Sequence, residues 1–145
     1  MVKMIMQQLE DKFYQKIIRY NDLLDCLKRE QACLIGVDLD RLWDISFEKE
    51  EICAEINSLR QEIMALIGSD ESQQWESLDQ ALVSVPGENR ERLKQLMYTI
   101  NRVKAEVETL RKENIRLVDH SLQFIDEIIS IIAGETPTNN VYNQK

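Results

Sequence analysis

From Leu93 onward, apolar residues recur at alternating spacings of three and four. Leu93, Leu96, Ile100, Val103, Val107, Leu110, Leu117, Phe124, Ile128 and Ile131 keep the register, and Asn114 and Ser121 interrupt it. That pattern is a heptad a/d seam and predicts one long helix over 88–133. Beside it, from residue 115, runs a second stripe of Ile115, Val118, Leu122, Ile125, Ile129 and Ile132 at the b and e positions. At 100° per residue the two stripes span roughly 160° of helix surface. Lys94, Asn101, Lys104, Glu108 and Arg111 occupy the equivalent positions earlier in the segment, so the apolar face widens only in the second half. A partner, an internal neighbour or a second copy in a homodimer would each use such a widened face.

Two more segments carry the same periodicity. Met6, Phe13, Ile17, Tyr20, Leu24, Leu27 and Leu34 predict a helix over 3–35, with Glu10 and Gln31 as polar exceptions. Gly36 is the expected terminator, because glycine takes a left-handed φ without a Cβ penalty. Asp38 is placed to cap the next helix, predicted over 39–67 from Leu42, Ile45, Ile52, Ile56, Leu59, Ile63 and Leu66. Lys49 is its one charged seam member, expected to snorkel or to pair with a nearby Glu. The short break between these two segments forces an antiparallel hairpin. Gly68–Ser72 reads as a loop, and Trp75, Leu78 and Leu82 as one side of a short helix before Pro86-Gly87, with Trp75 expected to plug the end of the bundle and a binding aromatic as the alternative.

The expected architecture is therefore all-α: an elongated antiparallel helical bundle or coiled coil of three long helices plus a short one. Residues 1–134 would form the bundle domain and 135–145 a disordered polar tail. The third helix should measure roughly 69 Å against about 44 Å for the second. One end of it must overhang its neighbour or be covered by the short helix.

Composition removes several function classes. A net charge of −8, without any run of Lys and Arg, argues against nucleic acid as a partner. No apolar stretch is long enough for an integral membrane segment, and the N-terminus turns polar too soon for a signal peptide. Cys26, Cys33 and Cys53 form no close-spaced pair and read as three reduced thiols of a cytoplasmic protein. His120 is the single histidine and has no partners at ligand spacing, so no metal site is expected. The four glycines are dispersed and build no phosphate-cradling loop. No catalytic residue and no cofactor are expected. Asn114 reads as a register-fixing residue inside the seam, with hydrogen bonding to a partner helix as the alternative.

Two sets of residues carry a family resemblance. Leu23-Leu24, Glu30, the break at Gly36-Val37-Asp38-Leu39-Asp40, Leu42 and Glu48-Lys49-Glu50 resemble the N-terminal signature of the FlgN-type flagellar export chaperones. The run from Asn114 to Ile125, with its Asn, Leu, Ser-Leu and aromatic positions in order, is similar to their C-terminal segment. The likeness extends over nearly the whole chain, through Leu78–Leu82. It implies a cytoplasmic chaperone that binds the C-terminal amphipathic helices of the hook-filament junction proteins FlgK and FlgL. Such a chaperone prevents their premature assembly and delivers them to the type III export gate, FlhA. It also implies a gate-docking role for Tyr142, although the glycine of the family's tail is missing from Asn143-Gln144-Lys145. Under this implication the stripe from Ile115 to Ile132 is the client surface. A self-associating coiled-coil adaptor, or a chaperone for a different flagellar export substrate, would use the same pattern.

Overall fold

The computed structural model describes residues 2–67 and 87–134. They form three helices, α1 (Val2–Gly36), α2 (Leu39–Leu66) and α3 (Gly87–Ile132), and the protein is all-α. The short helix around Trp75, Leu78 and Leu82, and the tail with Tyr142, lie outside the described residues.

Ion pairs and hydrogen bonds fix the directions. Lys12 pairs with Glu62, Arg19 with Glu55 and Arg29 with Glu48, so α2 runs antiparallel to α1. Arg92 reaches Glu10, and the Gln31 amide donates to Glu113, both across 82 residues, so α3 runs parallel to α1. The two polar exceptions in the first helix's pattern thus hold α3 in register. These exposed contacts set alignment more than they add stability.

α1 is the central element. It packs against both α2 and α3, while no comparable packing joins α2 to α3 among the described residues. Its buried set is correspondingly wide: Leu9, Phe13, Tyr20, Leu23, Cys26, Leu27 and Cys33, with Lys16 and Glu30 among them. The heptad reading had only Phe13, Tyr20 and Leu27 of these. The other row, Leu9, Lys16, Leu23 and Glu30, also repeats every seven residues, but its two charges disguise it. From the outer helices come Ile45, Ile52, Ile56, Leu59 and Ile63 on one side and Leu93, Leu96, Ile100, Val103 and Val107 on the other.

Glu30 ties the three helices together. Its carboxylate accepts from Lys49 Nζ of α2 at 2.6 Å and from Asn114 Nδ2 of α3 at 2.9 Å. The Asn114 amide also donates to the Leu27 carbonyl at 3.0 Å. Slipping either outer helix by one turn would strand these groups, which is how polar seam residues fix register. Replacing Lys49 with Met should cost about 1–3 kcal/mol, because the mostly buried Glu30 carboxylate loses its cation while Lys49 itself is partly solvated. The double variant Glu30→Leu/Lys49→Met should recover most of that loss in urea denaturation; an equal or larger loss would contradict this role.

The α1–α2 turn departs from expectation. Gly36 remains in the helix, and Val37 takes the left-handed conformation at φ 54°. The Asp38 amide then bonds the Cys33 carbonyl at 3.0 Å, and the Asp38 side chain caps α2 by accepting from Arg41 N. A β-branched residue at positive φ is strained, and the Val37 side chain is exposed, so it gains little in return. Val37→Gly should therefore raise stability by about 0.5–1 kcal/mol, visible as a higher melting temperature. A fall would show that the valine is held there by something it touches.

Candidate partner-binding surface

The offset of 82 between α1 and α3 puts Gly36, the last residue of α1, level with Val118. Beyond that level α3 continues to Ile132 with no helix beside it among the described residues. This overhang is about 21 Å long at 1.5 Å rise per residue. The third helix thus projects at its C-terminal end.

Burial along α3 follows this geometry. Leu93, Leu96, Ile100, Val103, Val107 and Asn114 are buried, and Leu110 and Leu117 are half-buried. Past them every large apolar side chain is exposed: Val118, Leu122, Phe124, Ile125, Ile128, Ile129, Ile131 and Ile132. The a/d seam is therefore a core row only as far as Leu117, although its heptad pattern runs on to Ile131. Phe124 is 61% exposed and Ile131 68%. Two causes act in sequence. A straight helix drifts about 20° per heptad away from a 3.5-residue repeat, which already lifts Leu110 and Leu117 partly out of contact. Then α1 ends, and no described helix remains for the seam to meet.

The same drift brings the second stripe inward. About five turns take up 18 residues, so Val118, Ile125, Ile128 and Ile132 stand directly above Ile100, Val107, Leu110 and Asn114. The face that packs on α1 lower down is continued, still apolar, by residues with no neighbouring helix among the described residues. All six second-stripe positions are exposed: Ile115 by 46%, Val118, Leu122, Ile125, Ile129, and Ile132 by 80%. None of them is an internal packing residue of the described helices.

Further exposed apolar groups gather at the same end. Ile35, Val37 and Leu39 surround the α1–α2 turn, and Trp43 stacks on Phe47 with ring centroids 6.4 Å apart. The heptad pattern gives no signal for the turn aromatics, because Trp43 and Phe47 fall outside the α2 seam. Elsewhere the exposed large apolar residues, such as Met4, Tyr14 and Tyr98, are scattered. Polar groups around this end are mostly acidic. Asp38, Asp40, Asp44, Asp119, Asp126 and Glu127 face only Arg41 and Arg116, and Arg41 is paired with Asp38.

No cluster of His, Cys, Asp and Glu suited to a metal occurs among the described residues, and His120 lies exposed. Cys26, Cys33 and Cys53 are free thiols; Cys26 is buried with its Sγ against the Ile45 carbonyl, and burial pushes its thiol pKa up. No described helix is long and apolar enough to cross a membrane. The surface is suited to hold an apolar partner.

No curated protein and no solved structure matches the chain. The model of the FlgN protein family does match, over residues 1–145. That match covers the chain from end to end and agrees with the motifs around Glu30, Gly36–Asp40 and Asn114–Ile125, and the chain belongs to the FlgN family of flagellar export chaperones.

Proposed function

We propose that the overhang Val118–Ile132 receives the C-terminal amphipathic helix of hook-filament junction proteins of the FlgK and FlgL kind. The observation that carries this reading is the uncovered continuation of α3's packing face beyond the end of α1. A client helix laid there would occupy the lane that α1 vacates, packing on α3 as α1 does below it. Helix-in-groove recognition of this sort reads apolar anchors at three- and four-residue spacing. Eight exposed aliphatic and aromatic residues are available, each worth about 1.5–3 kcal/mol when fully buried. An apolar surface of this extent left in water promotes association with whatever can cover it.

The charge of the rim favours a foreign partner over a second copy. Two acidic ends brought together would repel, whereas a client helix flanked by Lys or Arg would be attracted. Covering the client in the cytoplasm keeps it from premature assembly, and Tyr142 in the tail is the residue proposed to present the loaded chaperone to the gate protein FlhA.

Isothermal titration of the full-length protein with synthetic junction-protein C-terminal helices tests this reading. A one-to-one complex with a negative heat-capacity change is the expected result, since apolar surface leaves water. Absence of heat with every such helix, together with a dimer by light scattering, would instead make the overhang a self-association surface.

A further inference from the structure

α2 carries more apolar surface than its contact with α1 uses. Its buried side is Ile45, Ile52, Ile56, Leu59 and Ile63. At 100° per residue, Trp43 and Phe47 each fall roughly 160° from Ile45, on the side that looks away from α1. Trp43 is 68% exposed and Phe47 65%. Their rings nonetheless stack on each other, with centroids 6.4 Å apart and planes inclined by 29°. Leu39, one turn before Trp43 and also exposed, extends the pair into a row of three. Two rings already held against each other have little side-chain freedom left to lose, which makes them a preformed anchor for a partner.

The charges around this row are of one sign. On a helix, the surface neighbours of a residue stand three and four positions away. For Trp43 and Phe47 the ionisable residues so placed are Asp40, Asp44, Glu50 and Glu51, all of them acidic and exposed. None of the four is paired with a cation among the described residues. The nearby cations are engaged elsewhere: Arg29 with Glu48, Arg41 with Asp38 and Lys49 with Glu30. This frame argues against three kinds of cover. Two copies of the face would repel each other, and so would a nucleic acid or an anionic lipid surface. A cationic, amphipathic partner matches both features. Its guanidinium groups lie favourably on an indole face and pair with the flanking carboxylates, while its apolar side chains cover Phe47 and Leu39.

We propose that the outer face of α2 from Leu39 to Glu51 docks a basic amphipathic helix of a second protein. The face is about 18 Å long, enough for three to four turns of a partner. Arginine suits it better than lysine, because a planar guanidinium stacks on Trp43 while reaching a carboxylate. The face is distinct from the overhang. It looks away from α1, whereas the overhang continues the lane of α1 along α3. A helix bound on α3 leaves the row free, so both surfaces can be occupied at once. The proposal does not rest on what the overhang binds.

The test titrates the full-length protein with a synthetic peptide of about four turns, leucine on one helical face and arginine on the other. The readout is the indole N–H resonance of Trp43, which reports this face and gives the affinity directly. Expected is a saturable shift, with the same affinity in wild type and in Leu122→Glu/Ile129→Glu. Affinity should fall at least about tenfold in Phe47→Ala and in Asp44→Asn/Glu50→Gln/Glu51→Gln. Both variants should melt close to wild type, because the altered side chains are exposed. A peptide with glutamate in place of arginine should leave the resonance unmoved. No shift at high peptide concentration, or undiminished affinity in the neutralised variant, would overturn the docking face. A shift lost with the overhang substitutions would overturn it too, since the peptide would then sit on α3. So would a shift produced by phosphatidylglycerol vesicles, or by raising the protein concentration alone, which would make the row a membrane contact or a contact between copies.

Discussion

Leu93→Ala should destabilise the protein by about 3–5 kcal/mol, while Phe124→Ala should change stability by less than about 0.5 kcal/mol. The two residues belong to one heptad seam, and the sequence offers no reason to treat the larger side chain as the less important. Their surroundings differ. Leu93 is fully buried in the core beside α1, so truncation leaves a cavity that the packed helices cannot close. Phe124 lies beyond the end of α1, 61% exposed, and its removal leaves no void. Urea denaturation of both variants reads the difference directly. Comparable losses would mean that α3 is covered along its whole length.

The second large effect concerns binding. Leu122→Glu/Ile129→Glu should leave the melting temperature close to that of wild type, because both side chains are exposed and Glu suits a helix at least as well as Ile. Affinity for a junction-protein helix should fall by about 10²–10³-fold, on the order of 3–4 kcal/mol, since each new carboxylate would be buried against an apolar partner without a counter-charge. The acidic rim deepens the effect by adding like charge. A variant that melts far below wild type would place these residues in an internal contact. A folded variant with undiminished affinity would place the client elsewhere.

Much of this was legible in the sequence because the three heptad patterns are long and nearly unbroken. Periodicity over five or more turns leaves little freedom in assigning a helix, and the predicted ends of α2 and α3 fall within a residue of the observed ones. Asp38 as cap and Lys49 as partner of a Glu follow from local chemistry, and the structure has both. What periodicity does not carry is the identity of the neighbours. By periodicity the widest apolar face belongs to α3, yet the helix buried on two sides is α1, whose second row is broken by Lys16 and Glu30. Each of those charges is intelligible only with the other two helices in place. The left-handed residue was expected at Gly36 and is Val37, because the helix runs one residue further than its glycine suggests. The overhang was legible as a mismatch of helix lengths, but its position required the pairing of Glu10 with Arg92 and of Gln31 with Glu113.

On the proposed function, a client helix covers α3 beyond residue 118 and takes α1's lane there. Hydrogen exchange of the wild-type protein, with and without a bound junction-protein C-terminal helix, tests it most directly. Amides of an uncovered helix end open locally at little cost, so the 118–132 segment should exchange quickly in the free protein. On client binding its exchange should slow strongly, while the already packed amides around Leu93–Val107 should change little. Unchanged exchange over 118–132 in a saturated complex, with new protection elsewhere on the bundle, would contradict the account.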